Sequence, residues 1–108
     1  MNDLASNASP DEVPDPRLRR LLFRSWRRGT QESDLILGSF ADDAIRSLNE
    51  AQLVALEALL DCADADLFDW IFGVLPPPPE HDHDVMRRLR TFCAARGYQP
   101  QRIRQPLI

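Results

Sequence analysis

The segment Arg28-Gly29-Thr30-Gln31-Glu32-Ser33-Asp34 gathers a guanidinium, a glycine and two carboxylates into one short stretch. Arginine presents a planar fork of donors suited to carboxylates, and an acid can accept such donors in return. Glycine permits a sharp turn between them. The chemistry this combination offers is recognition: opposite charges held on helix ends and able to read a polar patch on a partner. Taken alone, the same residues could also be a local Arg28–Glu32 surface ion pair beside a glycine that merely ends a helix, and such pairs contribute little. Two other clusters invite a chemical reading. His81-Asp82-His83-Asp84 holds imidazoles and carboxylates, which suit zinc, but the spacing is not a ligand pattern, and acids collect at helix N-termini for dipole reasons. It reads as a solvated cap, with no metal expected. Cys62 and Cys93 stand far apart among apolar neighbours and read as buried reduced thiols. Cys93 has no nearby base in sequence to make it a nucleophile, so no catalytic residue is expected.

These residues need elements to hold them, and the hydrophobic spacing predicts only helices. Asp15-Pro16 opens the first, with Leu18, Leu21, Leu22 and Trp26 on one stripe and arginine on the other, and Gly29 as its left-handed stop. Thr30 opens the second, with Glu32 and Asp34 in its first turn and Leu37, Phe40, Ala41, Ala44 and Leu48 on its buried side. Gly38 lowers helix propensity at its middle. Asn49 and Gln52 suggest a capping box for a third helix that turns Leu53, Leu56 and Leu60 inward. Asp64 is the expected cap of a short fourth helix carrying Leu67, Phe68, Trp70, Ile71 and Phe72, stopped by Gly73. Pro76 to Pro79 reads as an extended, non-helical spacer. A fifth helix spans about Asp82 to Arg96, with Val85, Leu89, Phe92 and Cys93 on one side and Gly97 as its stop. No window alternates as a half-buried strand does. The expected fold class is therefore all-α, a small antiparallel bundle of about five helices over residues 15–97. The polar segment 1–14 reads as a disordered N-terminal tail and 98–108 as a flexible C-terminal one.

With 108 residues and 44% hydrophobic content, the chain can bury one modest core and has little room for a deep substrate pocket. It is read as a binding protein and not an enzyme. The formal net charge is -4, and every basic residue is arginine, in one block from Arg17 to Arg28 and another from Arg87 to Arg104, with Arg46 alone between. The first block could track a phosphate backbone, but the acidic middle of the chain would repel a duplex and few aromatics interleave. No nucleic acid is expected. No apolar run is long enough to cross a bilayer, so no membrane is expected either. The scarcity of cysteines points to a reducing compartment, and the acidic start matches neither a signal nor a transit peptide. Bacterial cytoplasm is the expected location. Phe68, Trp70 and Phe72 are read mainly as core, and Trp26, one turn before the corner, as the aromatic residue more exposed to a partner.

The stretch from Leu21 to Leu35, LLFRSWRRGTQESDL, resembles the family of FAD assembly factors of succinate dehydrogenase, the SdhE type, known in mitochondria as succinate dehydrogenase assembly factor 2. The family hallmark is RGxxE followed by an aspartate two residues on, which Arg28, Gly29, Glu32 and Asp34 match. Asp64-Ala65-Asp66-Leu67-Phe68-Asp69-Trp70 is similar to the family's D-x-D-L-F-x-W stretch. The resemblance runs from about Arg17 to Arg96. The proline run and the arginines Arg102 and Arg104 fall outside its pattern.

That resemblance implies a five-helix protein, a monomer without cofactor of its own, that binds the FAD-bound flavoprotein subunit of succinate dehydrogenase and, in some bacteria, of fumarate reductase. It would promote covalent attachment of FAD to a client histidine, the bond-forming groups belonging to client and flavin. Arg28 and Glu32 are the expected contacts nearest the flavin site, Gly29 allows close backbone approach, and Asp34 orients or pairs with a neighbouring arginine. Trp26 and Arg24 complete the expected partner surface. A general protein-interaction adaptor or antitoxin-like regulator using the same RGxxE surface is the alternative, and co-purification separates the two.

Overall fold

The computed structural model describes residues 15–98. The tails read over 1–14 and beyond residue 98 lie outside the described residues. Five α-helices and two short 3-10 turns make up the regular structure, with no strand among the described residues, so the all-α class holds. Within the stretch read as one domain, contacts group the helices into two compact units, one up to Asn49 and one from Glu50 onward.

In the first unit α1 (Pro16–Trp26) and α2 (Gln31–Ala44) pack on each other, and α2 runs on into a 3-10 turn at Ile45–Ser47. The α1 start follows the sequence signals. The Asp15 carboxylate accepts the Arg17 N–H at 2.8 Å, and Pro16 stands at the first helical position, where its missing N–H removes nothing. Leu21, Leu22, Leu37, Phe40 and Ile45 are almost wholly buried, each contributing roughly 1.5–3 kcal/mol relative to exposure. Two buried serines were not read as core. Ser25 satisfies its hydroxyl on the Leu21 carbonyl at 2.7 Å, and Ser33 satisfies its own on Thr30. Gly38 is equally telling. A Cβ added there would lie 2.1 Å from Cδ2 of Trp26, so the glycine that weakens α2 intrinsically is what admits the indole ring against its backbone.

The end of α1 differs from expectation. The helix stops at Trp26, not at Gly29, and Arg27 leaves it with φ -126° and ψ 56°. Gly29 (φ +116°) therefore sits in the connection and is not the helix cap. The reason is local competition for donors. The N–H groups of Arg28 and Gly29, which a longer helix would spend on its own carbonyls, go instead to the Asp34 carboxylate.

In the second unit α3 (Glu50–Leu60), α4 (Asp64–Ile71) and α5 (Asp84–Ala95) are joined by turns, and α5 packs on both others. Leu53, Leu56 and Leu60 are buried as expected. Asp64 is the first helical residue and not the cap; Ala63 takes the cap position without a side-chain bond, and Asp64 and Asp66 serve the α4 dipole from its first turn. Gly73 and Gly97 both take positive φ and close their helices in the same way. The residue after each glycine donates back to the third-last helical carbonyl, Val74 to Asp69 and Tyr98 to Cys93. Pro79 opens a 3-10 turn, Pro79–His81, so the proline run is extended only through Pro78. Proline is tolerated at a first helical position because no N–H is needed there.

The fifth helix begins two residues later than expected, at Asp84, because His83 caps it. His83 Nδ1 accepts the Met86 N–H at 3.1 Å. Asp82 instead forms an exposed pair with Arg87 at 3.7 Å. Only the neutral imidazole can accept that N–H. Burial, reinforced by the neighbouring His81, holds the His83 pKa below its ordinary 6.5 against the opposing pull of Asp84. With the folded pKa the lower one, the stabilisation is complete above pH 6.5 and is lost as pH falls through the folded value. Urea midpoints should therefore drop more steeply below that pH in the wild type than in His83→Asn, which keeps a cap acceptor but does not titrate. Parallel curves would show that the cap is not the source.

Candidate functional site: the corner between α1 and α2

The corner is built from the backbone outward. Arg27 donates its N–H to the Arg24 carbonyl at 3.2 Å as α1 ends. One Asp34 oxygen then accepts two successive backbone N–H groups, from Arg28 at 2.5 Å and from Gly29 at 3.2 Å. Thr30 caps α2 through its hydroxyl, which accepts the Ser33 N–H at 3.1 Å, while its carbonyl accepts the Asp34 N–H at 2.9 Å. Asp34 thus lies on the first turn of α2 and ties the preceding loop to it. Asp34 was expected to orient or pair with a neighbouring arginine, and its carboxylate meets Arg28 through that residue's backbone N–H.

Gly29 is required by conformation and not by space. A Cβ placed on it meets nothing within 4 Å, but φ +116° is a backbone geometry that other residues rarely adopt. Gly29, Thr30, Gln31 and Glu32 are exposed, Arg28 is half-buried, and Leu35, just past the motif, is 46% exposed. The motif residues therefore divide. Gly29 and Asp34 set the shape of the corner, while Glu32 and the partly exposed Arg28 supply charge at its surface.

Of the other residues expected here, Arg24 is half-buried in the last turn of α1. Trp26, also half-buried, lays its ring on Gly38 and donates its indole N–H to Asp42 at 3.3 Å. Burial pushes the Asp42 carboxyl up, and the Trp26 hydrogen bond and Arg46 work against that rise. Sequence reasoning missed Phe23, which is 53% exposed and carries the Arg27 guanidinium 4.5 Å above its ring. The signal was present: Phe23 and Arg27 are four apart, on one face of α1.

The second sequence motif lies in the other unit and does structural work there. Arg90 places Nε and Nη2 on the Trp70 carbonyl at 3.0 and 2.8 Å, pinning the C-terminal turn of α4 to α5. A cation at those last carbonyls also suits the helix dipole. The Trp70 ring stacks on His81 with centroids 5.3 Å apart. The expected solvated cap is so only in part: Asp82 and Asp84 are exposed, while His81 Nδ1 and His83 Nε2 are buried and Trp70 covers one face of the His81 ring. Among the described residues no group of three or more His, Cys, Asp or Glu side chains is placed to hold a metal ion. Cys93 is buried, and burial pushes its thiol up to about 12. Cys62 is only half-buried, contrary to expectation, because it lies in the turn after α3. Among the described residues no helix is long and apolar enough to cross a membrane.

Comparison with known proteins places the corner in context. A family model described as flavinator of succinate dehydrogenase matches residues 19–93. The chain is 36% identical over 99 residues to succinate dehydrogenase assembly factor 2-B, mitochondrial, of Drosophila persimilis, covering 90% of this chain and 62% of that protein. It is 36% identical over 85 residues to the FAD assembly factor SdhE of Acetobacter pasteurianus, covering 79% of this chain and 77% of that protein. The chain thus spans less than two thirds of the Drosophila relative and about three quarters of the bacterial one.

Proposed function

The chain belongs to the flavinator of succinate dehydrogenase family, and from that premise we propose that it binds the flavoprotein subunit of succinate dehydrogenase and promotes covalent attachment of FAD to a client histidine. The flavoprotein of fumarate reductase is a second client of the same kind. The protein acts as a monomer in the bacterial cytoplasm. It forms and breaks no bond itself. Binding energy selects a client arrangement in which histidine and flavin are held in reactive contact, so that a rare encounter becomes an effectively intramolecular one.

The observation that carries this reading is the corner itself. A single Asp34 oxygen holds two backbone N–H groups around a Gly29 that only glycine can occupy comfortably, and Glu32 stands exposed on the first turn beyond. Such a corner is preorganised, so little ordering cost remains when it meets the client. Arg28 and Glu32 make the charged contacts, Gly29 lets the backbone approach, Asp34 fixes the geometry, and Trp26 and Arg24 support the α1 side. An adaptor or antitoxin-like regulator would use the same surface on another partner, and co-purification with an FAD-containing dehydrogenase subunit as the dominant partner distinguishes the two.

The direct test is in-gel flavin fluorescence of denatured client from cells lacking the gene, complemented with wild type, Arg28→Ala or Glu32→Ala. Loss of a desolvated charged contact weakens an interface by about 2–5 kcal/mol. Each variant is therefore expected to behave like the deletion at physiological protein levels, with unchanged helical circular dichroism. Full covalent flavin in the deletion strain would refute the proposal.

A further inference from the structure

The second unit contains a thiol arranged quite differently from Cys93. Cys62 Sγ lies 3.5 Å from the Ala58 carbonyl and 3.4 Å from His81 Nε2. A carbonyl can only accept, so the thiol proton points to Ala58 and the sulfur lone pairs face the imidazole. The far nitrogen of that ring settles the tautomer. His81 Nδ1 is buried and has no partner, and a buried N–H without an acceptor is costlier than an unused lone pair. The proton therefore sits on Nε2 and is donated to sulfur. The ring is kept in that position by stacking on Trp70, with His83 edge-on 6.2 Å away.

The Ala58 carbonyl holds the neutral thiol only through a weak S–H donor, whereas the Nε2–H donor makes a charge-assisted bond to the thiolate. The pair therefore favours the thiolate, the reactive form of cysteine. Cys62 is half-buried, in the turn between α3 and α4, and so within reach of small reagents. We propose that Cys62 is a thiol-modification site that exchanges with small uncharged disulfides, and that His81 is its positioning residue. The Cys62 proton passes to water. The thiolate attacks one sulfur of the disulfide, a new S–S bond forms as the old one breaks, and the departing thiolate takes a proton from water. The adduct places a new substituent on Sγ beside the His81 ring 3.4 Å away, so modification disturbs the His81–Trp70 stack. Nothing in this site involves the α1–α2 corner, and its failure would leave the proposed function untouched.

The test treats the intact native chain with dithiodipyridine, following thione release and locating the modified cysteine by peptide mass spectrometry. Cys62 is expected to react at least tenfold faster than Cys93 near neutral pH, an order of magnitude set by the difference in thiolate fraction and access. His81→Gln should slow the Cys62 phase severalfold and move the midpoint of its rate–pH profile upward, with unchanged helix content. Trp70 emission, taken as the difference from Trp70→Phe, should change with the Cys62 phase. A fast phase located at Cys93, or a Cys62 rate and pH profile indifferent to His81→Gln, would overturn the proposal. If His81→Gln unfolds the unit, the pH midpoint of the wild-type Cys62 phase decides instead: a value at or above that of a free cysteine peptide refutes it.

Discussion

Asp34→Ala is expected to reduce covalent flavin on the client to the level seen without the protein, while the helices remain folded. The substitution removes one oxygen that accepts from both Arg28 and Gly29. One of those bonds is part-buried and the other exposed, so water replaces much of what is lost, and the stability cost stays near about 1–2 kcal/mol. The geometric cost is greater. Without the tether the loop from Arg27 to Thr30 has many conformations, and only a fraction present Arg28 and Glu32 together; apparent affinity falls by that fraction. Asp34→Asn separates shape from charge. Its amide oxygen can still accept both N–H groups, so recovery of most of the flavinylation would show that Asp34 acts through the corner. If Asn fails as completely as Ala while the helices stay folded, Asp34 meets the client with its charge and the tether is secondary.

The second large effect is on stability, in a variant that looks harmless on paper. Gly38→Ala should gain about 1 kcal/mol of helix propensity, yet the added Cβ would fall 2.1 Å from the Trp26 ring fusion. Either the ring swings out, giving up the Asp42 hydrogen bond, or the helices separate, at an overpacking cost of about 1–3 kcal/mol. A net loss of roughly 1–2 kcal/mol is expected, which lowers Tm by several degrees in a chain of this size. The diagnostic is a double-mutant cycle. In a Trp26→Ala background the space is empty, so Gly38→Ala should become neutral or stabilising, and the coupling should approach the whole overpacking cost. Additive effects of the two substitutions would mean that the ring and Gly38 do not meet in solution. The same cycle bears on function, because Trp26 has been placed both in the partner surface and in the packing of α1 on α2.

Much of the helical order was legible because the signals were local. Asp15-Pro16 and Thr30 are starts that act on their own backbone within a few residues, and Gly73 and Gly97 are stops for the same reason. The errors fall where a neighbour distant in sequence intervenes. Gly29 has the look of a cap, but Asp34 draws off the donors and ends α1 early. His81 and His83 have the look of a wet helix start, but Trp70 covers one ring and the Met86 N–H occupies the other. Gly38 reads as a weakness until Trp26 is set beside it.

The residue types and their spacing determined by themselves that the chain is all-α, which faces are apolar, where Arg28, Gly29, Glu32 and Asp34 fall on the turn, and to which family it is similar. Periodicity and capping are properties of consecutive residues, and a motif is a property of order. Tertiary structure alone decided that Asp34 grips the main chain, that Trp26 rests on glycine, and that Cys62 meets His81 while Cys93 is sealed away. Those outcomes depend on which side chains from separate segments compete for the same donor or the same few cubic ångströms, and a linear order of residues carries no record of that competition.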